Sequence, residues 1–144
     1  MPNHVLVPYD GSRLAEEALE FAAERFGEAH LTLLQVLDPM TAAYEAPFGR
    51  PSPGFWETWY EDVQEAAAEE LESAAASVAD DVAETETVVA LGKPADVILD
   101  VCEDEDYDHV VMGSHGREGL SRLFLGSVAE AVIRRAPVPV TVVR

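Results

Sequence analysis

Val110-Val111-Met112-Gly113-Ser114-His115-Gly116-Arg117-Glu118-Gly119, followed shortly by Leu125-Gly126-Ser127-Val128, is the stretch from which the fold can be read. Val110, Val111 and Met112 form an apolar run that suits a buried strand. Glycines at 113, 116 and 119 then place permissive backbone where a loop needs positive φ or approaches a ligand closely. Ser127-Val128-Ala129-Glu130 has the Ser-x-x-Glu spacing of a capping box, so a helix is expected to begin near 127 with Ser127 as its cap. Strand, glycine loop and helix start together present unpaired N–H groups and the positive end of a helix dipole, which suits phosphate. Two familiar phosphate motifs are absent. Gly126 is followed by Ser127 and not by Lys, and the glycine spacing is not that of a dinucleotide fingerprint.

Working outward, residues 3–8 read as a short strand ended by Pro8, and Asp10-Gly11-Ser12 as a turn and cap. From Ser12 to about Phe26, Ala15, Ala18, Leu19, Ala22 and Phe26 recur at helical spacing, with Gly27 as a C-cap. Leu31 to Leu37 is a second strand. Residues 38–54, with four prolines and two glycines, read as a long irregular loop of the kind that serves function or is disordered. A helical stripe then runs through Trp59, Val63, Ala67, Leu71, Ala74 and Val78 to about residue 79. For Trp56 and Trp59, packing in the core or a dimer is favoured over base stacking.

Residues 84–91 form a third strand, and Pro94 suits the first turn of a helix whose inner face carries Ala95, Ile98, Val101 and Cys102. A fourth strand covers about 108–113, a last helix 127 to Arg135, and a final strand 138–143. This β-α-β-α-β-α-β-α-β alternation predicts an α/β fold, a single doubly wound parallel sheet with helices on both faces, as one domain over 1–144. If the first and fourth strands are neighbours, Asp10 and the glycine loop face one crevice at the strand ends, where such sheets bind ligands.

The chain carries 28 Asp and Glu against nine Lys and Arg, a formal net charge of −19. Such a surface repels nucleic acid and anionic membranes, so neither is expected as a partner. Self-repulsion of this size favours a salty, halophilic setting in which the field is screened. No apolar run approaches the about 20 residues that span a bilayer. Met1-Pro2-Asn3-His4 lacks a basic segment and a following signal-type apolar run, and Cys102 is the single cysteine, so a reducing, cytoplasmic location is expected.

Gly113-x-x-Gly116, nine residues, then Gly126-Ser127 resembles the nucleotide signature of the universal stress protein family in its ATP-binding form. Val5-Leu6-Val7-Pro8-Tyr9-Asp10-Gly11-Ser12 is similar to that family's opening strand and turn, and Val138 to Val143 to its closing strand. The resemblance implies a five-stranded sheet in the order 3-2-1-4-5, a homodimer through the C-terminal strand 138–143, and ATP with Mg²⁺ as the bound nucleotide. Carried over by position, Pro8, Asp10 and Val36 line the adenine and ribose end, and Met112 and Gly113 form the floor. Ser114, His115, Gly116, Arg117, Gly126, Ser127 and Val128 surround the phosphates. Independently, an apolar terminal edge strand invites pairing, and Pro139 suits an edge.

Local readings stand beside these. Asp10 has a turn to cap, Ser127 a helix to cap, and Arg117 many carboxylates to pair. His115 is remote in sequence from His4, His30 and His109, which speaks against a metal cluster around it. Ser114 and His115, being adjacent, rarely adopt the geometry of a triad with Asp10. The function expected is an ATP-binding regulatory or stress-response module without efficient turnover. Slow ATP hydrolysis or self-phosphorylation on Ser127, Ser114 or Ser121, and a nucleotide-free interaction dimer, are the alternatives.

Overall fold

The computed structural model describes residues 2–40, 54–115 and 125–144. The elements run β1 (His4–Pro8), α1 (Arg13–Arg25), β2 (His30–Leu37), α2 (Phe55–Val78), β3 (Glu84–Leu91), α3 (Pro94–Asp104), β4 (His109–Gly113), α4 (Ser127–Arg135) and β5 (Val140–Val143). The strands form one five-stranded sheet in the order β3-β2-β1-β4-β5, with every pairing parallel. The order and the placement of helices match the expectation.

The central strands are apolar at nearly every position because both of their faces are covered. Val5, Val7, Leu31, Leu33 and Val111 pack against α1 and the C-terminal half of α2. Leu6, Leu34, Val110 and Met112 pack on the other face against Ile98 and Cys102 of α3 and Ala129 and Val132 of α4. Strand alternation thus divides two cores between odd and even residues of one strand. Burial pushes the Cys102 thiol up to about 11, with Glu103 adding to the effect, so it stays a neutral thiol.

Ser12 caps α1, its hydroxyl accepting from the Ala15 N–H at 3.2 Å. Gly27 follows the helix end, but among the described glycines only Gly11, Gly54 and Gly92 have positive φ. Gly27 is needed for space: a Cβ there would lie 2.7 Å from the Asp81 carbonyl oxygen. Pro94 opens α3 as expected. Three details differ from the sequence reading. Helix α2 begins at Phe55 and buries only Ala67, Leu71, Ala74, Ala75 and Val78. Trp56 is 43% exposed and meets Phe55 and Trp59 edge-on, and neither tryptophan belongs to a core cluster, so of the two packings expected the structure contradicts the core one. The periodicity that places them on the helix stripe continues beyond the sheet the stripe covers. Finally, β5 begins at Val140, and Pro139 precedes it, its carbonyl accepting from the Val110 N–H.

Asp108 ties the base of the sheet together, its Oδ2 accepting from the backbone N–H of Asn3 at 2.8 Å and of His4 at 3.0 Å. These bonds hold its carboxyl below the usual range.

Gly113 sits where α1 crosses β4, and a Cβ there would lie 2.8 Å from Leu14 Cβ and 3.1 Å from its carbonyl carbon. Gly113→Ala is therefore expected to destabilise the fold by about 1–3 kcal/mol, read from urea unfolding, because backbone must move. His109 stacks near Phe26, hydrogen-bonds Thr141 through Nε2 at 2.8 Å, and is lowered in pKa by burial. The unfolded chain then binds the proton more readily, so this contribution is full above the ordinary histidine value of 6.5 and is lost as pH falls through the lowered folded value. The loss of stability on acidification below pH 6.5 is expected to be smaller in His109→Gln than in the wild type.

Candidate functional site

β1 and β4 pair only through Val5 with His109 and Leu6 with Val110, whereas β1 continues along β2 to Pro8 and Leu34. Tyr9 extends that side, its N–H donating to the Leu34 carbonyl. On the other side, β4 stays with β5 to Gly113 and Val143, and the Ser114 N–H donates to the Val143 carbonyl. The two central strands therefore part at their carboxyl ends, and a cavity of about 490 Å³ lies in the gap.

Its walls carry Pro8, Asp10, Val36, Met112, Gly113, Ser114, His115, Gly126, Ser127 and Val128, all the sequence-nominated residues that the structure describes. Gly116 and Arg117 lie outside the described residues. Tyr9, Ser12, Ala15, Leu34, Pro94, Ile98 and Ala129 complete the lining, and the sequence did not mark them as site residues. Leu34 was within reach, two residues before Val36 on the same face of β2. Pro94 and Ile98 come from α3, which only the fold brings to this opening.

Apolar walls from Leu34, Val36, Ile98 and Met112 meet a polar end formed by the start of α4. The first α4 bond is Glu130 N–H to the Gly126 carbonyl, so the N–H groups of Ser127, Val128 and Ala129 precede the helical ladder. The cap differs from the expected box. Gly126 is the N-cap, Ser127 is the first helical residue, and no side chain caps the helix. Glu130 therefore falls one place too late for a capping box and pairs with Arg134 at 2.9 Å.

Neither Gly113 nor Gly126 uses positive φ; each is required by close approach within the chain. A Cβ at Gly126 would lie 2.6 Å from the Ser114 carbonyl oxygen, which accepts the Gly126 N–H at 2.8 Å. This contact brings the end of β4 against the start of α4. Asp10 does cap its turn, Oδ1 accepting from the Ser12 N–H at 2.9 Å, while also facing the cavity.

Ser114 and His115 are 1% and 8% exposed, and Ser114 Oγ lies 2.9 Å from His115 Nδ1. The pair forms despite the adjacency, but no carboxylate completes a triad among the described residues. His115 Nε2 is buried without a hydrogen-bond partner among the described residues, and the neighbouring Cδ2 is the side-chain atom nearest the Cβ position at Gly126. A buried nitrogen of this kind fits a site completed by a polar ligand. The arrangement offers an apolar slot, backbone donors and one imidazole, which suits a flat base joined to an anion.

The Universal stress protein family model matches residues 1–144. Universal stress protein MJ0531 of Methanocaldococcus jannaschii is 35% identical over 144 residues, covering 97% of this chain and 81% of that protein. The solved structure of MJ0577 from the same organism superposes with a TM-score of 0.83 at 29% identity, covering 98% of this chain and 94% of the other. The universal stress protein from Archaeoglobus fulgidus in complex with dAMP gives a TM-score of 0.65 at 29% identity, covering 100% and 98% of the two chains. The family match runs the length of the chain and so takes in all five strands, and the chain belongs to the universal stress protein family.

Proposed function

We propose that this chain is a regulatory module that binds ATP with Mg²⁺ in the cavity between β1 and β4. The observation that carries the reading is the joining of an apolar slot to an uncapped helix N-terminus in one opening. Leu34, Val36, Ile98 and Met112 would hold the adenine, with Asp10 towards the ribose. The N–H groups of Ser127 and Val128 would hold the phosphates, aided by His115 Nε2. Gly116 and Arg117 belong to the phosphate end in this reading. The dAMP bound by the Archaeoglobus fulgidus relative supports an adenine nucleotide.

A signalling role in the stress response, without efficient turnover, follows from a cradle to which no catalytic base is assigned. The Ser114–His115 hydrogen bond is the feature that favours the rival reading of slow hydrolysis or self-phosphorylation. Phosphate release that scales with protein and is lost in Ser114→Ala would establish that rival.

We read 1–144 as one domain that works in a salty cytoplasm, with the single cysteine reduced and buried. A homodimer through the C-terminal strand is the matching assembly. β5 is the sheet edge, its residues are half-buried, and Ile133 on the neighbouring α4 is 45% exposed. Two copies related by a two-fold would pair these strands antiparallel.

Calorimetric titration in molar KCl is expected to show one ATP per chain. Ser127→Pro should weaken it by about 1.5–3 kcal/mol through loss of one donor to a charged group. The fold should tolerate this change, because proline suits the first helical position and Gly126, at φ −67° and ψ 157°, already has the backbone required before it. Affinity should also rise from low to molar salt as repulsion between ATP and the −19 chain is screened. Absence of heat in wild type would reject the nucleotide reading. Sedimentation should show a dimer that Ile133→Glu shifts towards monomer; a monomeric wild type at micromolar concentration would overturn the assembly.

A further inference from the structure

At the opposite end of the sheet, the starts of three neighbouring strands gather imidazoles and carboxylates. His4 of β1 is level with His30 of β2, and His30 with Glu84 of β3; Thr32 is level with Glu86. All five are even-numbered and share the α3 face of the sheet with Leu6, Leu34 and Val88. The rings of His4 and His30 lie 4.6 Å apart between centroids. One donor atom from each of His4, His30 and Glu86 lies within 4.8 Å of the other two.

His30 has a carboxylate on each side of its ring. Nδ1 is 3.6 Å from Glu84 Oε2 and Nε2 is 3.3 Å from Glu86 Oε2, yet Nε2 makes no hydrogen bond of acceptable geometry. With the proton on Nδ1 towards Glu84, Nε2 turns a lone pair on a carboxylate, an arrangement that a cation between them relieves. Behind this cluster, His4 Nε2 lies 2.9 Å from the hydroxyl of the fully buried Thr32, and the Tyr107 ring packs 4.0 Å from His4. Tyr107 hydrogen-bonds Thr32 and Glu105, and burial is the main cause that pushes it up to about 12, so it stays a neutral phenol.

We propose that His4, His30 and Glu86 bind a divalent transition metal of the zinc class, with Glu84 and Thr32 as outer partners. Two imidazoles and a carboxylate suit Zn²⁺ or Co²⁺, whereas Mg²⁺ and Ca²⁺ prefer oxygen throughout. Tetrahedral bonds of about 2.0–2.1 Å separate ligand atoms by about 3.3 Å, so the donors need close only by about 1.5 Å. Glu86 has the freedom to do this, since its side chain is 55% exposed. Glu84, 3.6 Å from His30 Nδ1, stands where a short approach would complete the carboxylate–histidine–metal relay that orients such ligands. Three protein ligands leave a fourth position for water, and the acidic field concentrates cations around it. The metal clamps the starts of β1, β2 and β3 far from the nucleotide cavity.

The test uses the untagged full-length chain, stripped with chelator and titrated with Co²⁺ alone. One Co²⁺ per chain is expected, with visible d–d bands, displacement by one equivalent of Zn²⁺ and a raised thermal midpoint. Glu86→Gln and His30→Gln should each weaken Co²⁺ at least tenfold, while His109→Gln leaves it unchanged. The glutamate is exposed, so its replacement keeps the fold. The absence of d–d bands would overturn the site. Equal Co²⁺ binding in wild type and Glu86→Gln, or displacement by millimolar Mg²⁺, would overturn it in favour of a diffuse acidic surface.

Discussion

Beyond Leu6 and Val110 the two central strands follow different neighbours, β1 staying with β2 and β4 with β5. Within a buried parallel sheet every backbone N–H and carbonyl needs a partner, so strands can part only where other groups take over. Here Pro8 has no N–H to satisfy, Tyr9 bonds to Leu34, and Ser114 bonds to Val143. Asp10 then turns the chain through Gly11, at φ +80°, into the Ser12 cap of α1. The cavity is the consequence of that parting. Its depth depends on Gly113, which lets α1 lie against β4, and its far wall on Gly126, which lets α4 start against Ser114.

A parallel sheet has two chemically distinct ends. Helices that return antiparallel to the strands place their N-termini at the strand carboxyl ends, where backbone donors gather. Their C-termini gather at the other end. There α3 finishes at Asp104 with no basic residue in its last turn, followed by Glu105, Asp106 and Asp108. Unpaired carbonyls and carboxylates make that end attractive to cations, and His4, His30, Glu84 and Glu86 open onto it. The helix dipoles therefore favour opposite charges at the two ends of one molecule.

The surface charge acts on both ends in opposite senses. At −19 it opposes an anion in the cavity and supports a cation at the base. Few basic side chains are available to offset it. Arg13 meets Glu17 at 3.4 Å and Arg134 meets Glu130 at 2.9 Å, both exposed pairs one helical turn apart. Such pairs contribute a few tenths of a kcal/mol, about 0.3–0.5 each, and leave the field largely in place. Within the cavity, the backbone N–H groups at the uncapped start of α4 are the fixed positive poles set against that field.

The sequence by itself determined the element order, because a strand buried on both faces reads as an unbroken apolar run and an amphipathic helix as a 3.6-residue stripe. Val5-Leu6-Val7 and Val110-Val111-Met112 were legible for that reason, as were Ser12 and Pro94 at helix starts. The cavity wall was legible where a local signal, glycine or strand end, coincided with the opening. Tertiary structure alone decided the rest. Ser127 carries every local mark of a cap, yet contact between Gly126 and Ser114 sets the helix start one residue earlier. Trp56 follows the α2 stripe but projects past the sheet that the stripe covers. His4, His30 and Glu86 are separated by two crossovers and meet only through parallel register. Periodicity reports which face of an element is buried; which residues of distant elements lie side by side is set by strand register and close backbone approach, and these exist only in the folded chain.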